Sequence, residues 1–142
     1  MTGMTILEKE KELQAFFSVG DKYEKIINLG RKLPPFPAAA KIEENLVAGC
    51  QSLLYLECTV RDGLIYFNAD SDALISKGLA ALLICIYSEE APDALLTHLP
   101  HFLRGLGLRL SPGRSNGLAS LYAQMRSHAT EWLSNKGATH GI

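Results

Sequence analysis

The chain has 142 residues, 47% of them hydrophobic and 20% charged, with a formal net charge of -1. A length of this order supports one core that buries roughly 70% of the unfolded surface without disulfides or metal, and the even charge balance excludes a basic nucleic-acid-binding face. The longest apolar stretch, Leu79 to Tyr87, falls far short of the roughly 20 residues needed to cross a bilayer.

Thr5-Ile6-Leu7-Glu8 reads as a capping box that opens a first helix, because Thr5 can cap while Glu8 reaches back to it. Leu13, Phe16 and Phe17 give this helix an apolar side, and Glu8-Lys9-Glu10-Lys11-Glu12 gives it a solvated one. Asp21-Lys22-Tyr23-Glu24 repeats the start signal after Gly20. A second stripe of Tyr23, Ile26, Ile27 and Leu33 then runs up to Pro34-Pro35-Phe36-Pro37, which forbids continuation. The segment from Ala38 to Leu46 is a connection with little structural commitment.

The period then changes. Leu54, Leu56, Cys58 and Val60 alternate with Tyr55, Glu57, Thr59 and Arg61, the pattern of a half-buried strand. Asp62-Gly63 is a hairpin signal and Leu64-Ile65-Tyr66-Phe67 is the returning strand. A short strand just before Gly49 would complete a three-stranded antiparallel sheet. Ala73 to Tyr87 is apolar nearly all round and reads as a central buried helix. Pro92 opens a short helix, and Pro100, Gly105 and Gly107 divide the following stretch into another short helix and a turn. After Pro112 a long helix carries Leu118, Leu121, Met125 and Trp132 on one side, with a flexible tail expected at 136–142. The expectation is a single α+β domain over 1–142, two layers deep, with the small sheet packed against helices.

The three cysteines differ in setting. Cys50 lies in Val47-Ala48-Gly49-Cys50-Gln51-Ser52, a loop at the mouth of a strand, where Gly49 removes a Cβ and lets the backbone turn tightly. Local context leaves open whether Cys50 is structural or reactive. Cys58, beside Leu56 and Val60, and Cys85, between Ile84 and Ile86, read as core residues. The spacings Cys50 to Cys58 and Cys58 to Cys85 match no usual ligand pair, and Pro100 between His98 and His101 breaks the helix that would align them, so no metal site is expected. A cysteine hydrolase would need a histidine beside Cys50, and His98, His101, His128 and His140 all lie in the last third with no recognisable motif. An odd number of cysteines with no close pair suits free thiols in a reducing cytoplasm. The N-terminus shows no basic segment followed by an apolar run, so no secretory signal is expected.

Two polar segments remain. Asp70-Ser71-Asp72 has a simple reading as the cap of the buried helix. Ser111-Pro112-Gly113-Arg114-Ser115-Asn116-Gly117-Leu118 opens the last helix. A cation at Arg114 opposes the helix dipole there, which points to an anionic or carboxylate partner, and Asn116-Gly117 is out of place at a helix start unless close packing demands small groups.

Together these segments resemble the SufE family of sulfur-acceptor proteins, which includes the CsdE branch and is also called the Fe-S metabolism associated domain. The resemblance runs from about Tyr23 to Ala129. It is carried by Leu29-Gly30-Arg31-Lys32-Leu33-Pro34, the Cys50 loop, Asp70-Ser71-Asp72-Ala73 with Lys77-Gly78, and Leu110 to Leu118. It implies a SufE/NifU-like fold and a sulfur-transfer protein rather than a stand-alone enzyme. Such a carrier takes persulfide sulfur from a cysteine desulfurase of the SufS/CsdA kind, stimulates that enzyme, and delivers sulfur to a SufB-containing scaffold for iron–sulfur cluster assembly. The acceptor cysteine falls on Cys50, with Gly49, Gln51, Ser71, Asp72 and Arg114 in support. No resident cofactor is implied, since pyridoxal phosphate belongs to the desulfurase. The implied setting is cytoplasmic, with no nucleic acid or membrane partner, as a monomer or weak homodimer. Two departures stand out: Leu54-Tyr55 where many members carry Val-Trp, and Gly113 where they carry a serine. The alternatives are a NifU/IscU-like scaffold holding a cluster on three cysteines, and an activator of a desulfurase that carries no sulfur itself.

Overall fold

A computed structural model describes residues 4–50 and 52–140, the side chains of 136–140 excepted. Helix α1 (Ile6–Phe17) begins at the expected capping box: Glu8 N donates to Thr5 Oγ1 at 3.1 Å and Thr5 N donates to Glu8 Oε1 at 3.2 Å. Helix α2 (Lys22–Arg31) is capped by Asp21, whose Oδ1 accepts from Tyr23 N and Glu24 N. The chain then crosses the proline segment and two short 3₁₀ turns, Ala38–Ala40 and Glu43–Asn45, that bury none of their residues.

Strands β1 (Leu54–Arg61) and β2 (Leu64–Ser71) pair antiparallel, with Leu54 opposite Ser71 and Arg61 opposite Leu64. Asp62 and Gly63 both take positive φ, 53° and 78°, the tight two-residue turn whose twist matches a hairpin. The sheet has two strands among the described residues, not the three expected. Just before Gly49 the backbone pairs with it through a single bridge among the described residues, Leu46 to Tyr55, and the bond from Val47 N to Leu54 O at 2.8 Å. Glu43–Asn45 is wound into a 3₁₀ turn just before that bridge, and Gly49 at φ 80° bends the chain away just after it, so no further pairing can form.

One face of the hairpin supplies Leu54, Leu56, Ile65, Phe67 and Ala69 to the core. Helix α3 (Leu74–Tyr87) packs there and contributes Leu79, Leu82, Leu83 and Ile86. Helices α2 and α3 cross at two glycines: a Cβ on Gly78 would lie 2.1 Å from the Ile26 carbonyl oxygen, and one on Gly30 would lie 2.9 Å from Gly78 N. This contact explains why glycine stands at both places. After the short α4 (Ala94–Thr97) and a 3₁₀ segment (His101–Leu106), α5 (Pro112–His140) lays Leu118, Leu121, Met125 and Ala129 on the core. Of the tail expected at 136–142, the side chains of 136–140 and all of residues 141 and 142 lie outside the described residues.

Cys85 corrects the expectation of a core residue. It is exposed, because α3 is covered by the sheet on one side and by α1 and α2 only in part on the other. The thiol opens into a groove bordered by Lys9, Leu13, Phe16, Leu29 and Lys32. The walls of that groove still desolvate the thiol enough to push it upward, against the pull of Lys9 and Lys32. Cys58 is half-buried and packs on the core, as its strand position implies. Its thiol is pushed up to about 11, by burial first and then by the negative charge of Glu131.

Candidate functional site

The stem of the Cys50 loop is fixed by the Val47–Leu54 bond and by burial of Val47 and Leu54 in the core. Between these anchors the chain leaves the sheet and returns, with Gly49 in the left-handed region that glycine adopts freely. Cys50 turns inward. Its Sγ lies 3.7 Å from the Gly117 carbonyl oxygen on the first turns of α5, at the length of a weak thiol hydrogen bond. A Cβ on Gly117 would stand 3.1 Å from this sulfur, and a Cβ on Gly49 would stand 3.0 Å from Ser120 Oγ. The loop and α5 therefore meet where both have small residues, the reason for a glycine near a helix start that otherwise disfavours it.

Cys50 borders a cavity of about 70 Å³ whose other walls include Ser52, Ser76, Leu79, Arg114 and Leu121. Gly113 also lines it. Burial alone moves the thiol, and it moves it above the ordinary cysteine range. The resting sulfur is thus a protonated thiol, partly withdrawn from water, with a void beside it.

The expected residues divide. Arg114 is exposed and lines the same cavity as Cys50; its backbone N donates to Ser111 Oγ, so Ser111 caps α5. Its guanidinium does not lower the Cys50 pKa in this state. Ser71 lies opposite Leu54, at the end of the hairpin from which the Cys50 loop springs, and its Oγ accepts from Ala73 N at 3.2 Å. Asp72 is exposed beside it. Neither Ser71 nor Asp72 is among the described residues that line the cavity. The capping role read for Asp70-Ser71-Asp72 is not what forms: the N-cap position of α3 is Ala73, without a side-chain cap. Asp70 instead holds Lys41 at 2.9 Å and Lys77 at 3.3 Å. Gln51 lies outside the described residues. His98 meets Glu10 of α1 at 3.2 Å, a pairing of distant segments that spacing cannot show.

Ser52, from the Cys50 loop itself, walls the cavity together with Ser76 and Leu79 of α3, which nothing local in the sequence marks. On the α5 side the usable signals were two misfits in the helix start, Arg114 and Gly117. Tyr55 packs its ring against Phe36, with ring centroids 6.3 Å apart.

An α+β domain that holds a loop cysteine inward over a small cavity, on a scaffold of two strands and five helices among its described residues, is the kind of protein these features define. The Fe-S metabolism associated domain model, SufE, matches residues 8–129. An uncharacterised SufE-like protein of Synechocystis sp. is 36% identical over 110 residues, covering 76% of this chain and 69% of the relative. The solution structure of a hypothetical protein from Thermus thermophilus superposes with a TM-score of 0.76 at 25% identity, covering 92% of this chain and 99% of that one. The chain belongs to the SufE family.

Proposed function

We propose that this protein is a sulfur carrier: it accepts persulfide sulfur from a cysteine desulfurase on Cys50, stimulates that enzyme by unloading it, and passes the sulfur on for iron–sulfur cluster assembly. The observation that carries this reading is the placing of Cys50 on a glycine-hinged loop, turned inward over a cavity that it lines with Arg114. In the transfer step the Cys50 thiolate attacks the terminal sulfur of the donor persulfide. The donor's S–S bond breaks, a new S–S bond forms on Cys50, and the donor cysteine leaves as a thiolate, with no net oxidation.

The resting geometry suits storage better than attack. A thiol with a raised pKa is a poor nucleophile, and an inward sulfur is shielded from cytoplasmic thiols and oxidants. The loop swings outward on docking, with Gly49 as hinge, and Arg114 then favours the thiolate or the incoming sulfur anion. Ser71 and Asp72, at the same end of the hairpin, belong to the surface that meets the partner. The carrier needs no cofactor of its own; pyridoxal phosphate resides with the desulfurase. Cluster holding by three cysteines gains no support, since among the described residues no three His, Cys, Asp or Glu side chains converge. No helix among them is long and apolar enough to cross a membrane, and action in the cytoplasm beside a SufS/CsdA-like donor and a SufB-containing acceptor is part of the proposal.

Incubation with a desulfurase and ³⁵S-labelled cysteine tests the reading. Cys50→Ser is expected to abolish protein-bound label, while Cys58→Ala and Cys85→Ala retain it. Full labelling of Cys50→Ser overturns the assignment.

A further inference from the structure

We propose that the cavity beside Cys50 is the receptacle for the carried sulfur, and that the Ser76 hydroxyl binds it there. The inference rests on Cys50 as the acceptor and adds where the second sulfur lies. A persulfide places that sulfur one S–S bond, about 2.05 Å, beyond Sγ. Cys50 borders a cavity of about 70 Å³, so the added atom has a place to go while Sγ stays against the Gly117 carbonyl. That space is well above the roughly 10–15 Å³ that admits one water, and far below the roughly 300 Å³ of a small-molecule pocket. One sulfur atom fits. A thiol compound that could strip it does not.

The walls suit a charged, polarisable atom. A persulfide is a stronger acid than its parent thiol, so its terminal sulfur is an anion near neutral pH. Leu79, Ala80 and Leu121 give the cavity an apolar side, against which a soft sulfur packs well. The rest is electropositive. Ser76 stands in the first turn of α3, while Gly113 and Arg114 stand in the first turn of α5. The positive ends of two helices therefore border the same space, and the N-cap residue of α3, Ala73, makes no side-chain bond to its end.

Ser76 is half-buried, and its hydroxyl has no hydrogen-bond partner among the described residues. A donor withdrawn from water without an acceptor costs stability, and a sulfur anion in the cavity is the acceptor it lacks. The unloaded thiol makes its own contact elsewhere, with Gly117 O. Ser76 thus acts on the loaded protein and not on the free cysteine.

Inorganic polysulfide puts sulfane sulfur on cysteines without any protein donor, and cyanide takes it off. Cyanide attacks the terminal sulfur, the S–S bond breaks, thiocyanate leaves and the cysteine returns as a thiolate. Site-resolved mass spectrometry after timed exposure of the loaded free protein to cyanide gives separate rates for Cys50 and the exposed Cys85. The Cys50 persulfide is expected to survive about tenfold longer than that of Cys85, the worth of a hydrogen bond to a charged group. Ser76→Ala is expected to shorten its life about fivefold by removing that donor. Ser76→Val, which also fills part of the cavity, is expected to bring it within about twofold of Cys85. In both variants iodoacetamide labelling of unloaded Cys50 is expected to stay within about twofold of wild type, since neither its thiolate fraction nor its access changes. A wild-type Cys50 persulfide as short-lived as that of Cys85, or one unmoved by both Ser76 variants, overturns the receptacle. So do equal gains in cyanide and iodoacetamide rates, which signal a loosened site, or a Cys50 that takes up no sulfur while Cys85 does. Failure of a desulfurase to load Cys50, with polysulfide loading and the Ser76 effects intact, counts against the carrier reading alone.

Discussion

The sulfur of Cys50 sits against Gly117, 3.1 Å from where a Cβ on that residue would project. A loop and a helix from opposite halves of the chain thus share one small space, and the glycine keeps it open for the thiol. Gly117→Ala is expected to push Cys50 outward. Alanine gains about 1 kcal/mol in helix propensity, which offsets overpacking of about 1–3 kcal/mol. The expected outcome is a small change in urea midpoint with clearly faster iodoacetamide labelling of Cys50. Unchanged labelling would mean that the loop does not rest against α5.

Gly78→Ala is a different kind of change. The added Cβ would meet the Ile26 carbonyl oxygen at 2.1 Å, and this backbone group cannot turn aside as a side chain can. Helices α2 and α3 would have to part along the core. Urea denaturation is expected to show a loss of at least about 2 kcal/mol, with the Cys50 site intact in the protein that remains folded.

Arg114 shares the cavity with Cys50, yet burial is what sets the resting thiol. Arg114→Ala is expected to leave iodoacetamide labelling of free Cys50 within about twofold of wild type, since no cation favours the thiolate there. Sulfur acceptance from a desulfurase is expected to fall roughly tenfold, the worth of one charge-assisted hydrogen bond made in the complex. Equal losses in both assays would place the arginine's effect in the resting state instead.

Cys58 links stability to alkaline pH. Its folded pKa is raised from 9.0 to about 11. Between those values the unfolded chain binds fewer protons at this site than the native protein, so stability falls as pH rises. The contribution is fully present below pH 9.0 and is lost as pH passes about 11. Denaturation midpoints across this range are expected to drop more steeply for wild type than for Cys58→Val, and identical slopes would count against the buried thiol.

Local chemistry made most of the fold legible. Capping at Thr5 and Asp21, alternation from Leu54, the turn at Asp62-Gly63 and the apolar run of α3 each rest on residues near one another in sequence, and each forms. The failures share another cause. The third strand would have needed more than the Leu46–Tyr55 bridge, and an adjoining 3₁₀ turn and a left-handed glycine limit it to that. Cys85 has apolar neighbours in sequence, but its exposure is decided by how far α1 and α2 extend over α3. At the site, Cys50 could be singled out as a loop thiol, and Arg114 and Gly117 as misfits in a helix start. That these three meet, and that Asp70 serves Lys41 and Lys77 rather than a helix cap, depends on contacts between segments distant in sequence.

The role proposed for Cys50 is to carry sulfur. Its most direct test is intact-mass and peptide mass spectrometry of the protein after incubation with a cysteine desulfurase and cysteine, without reductant. The expected result is the gain of one sulfur atom located on Cys50, reversed by added thiol, with Cys58 and Cys85 unmodified. A protein that stimulates the desulfurase yet gains no sulfur on Cys50, or gains it equally on Cys85, would contradict that role.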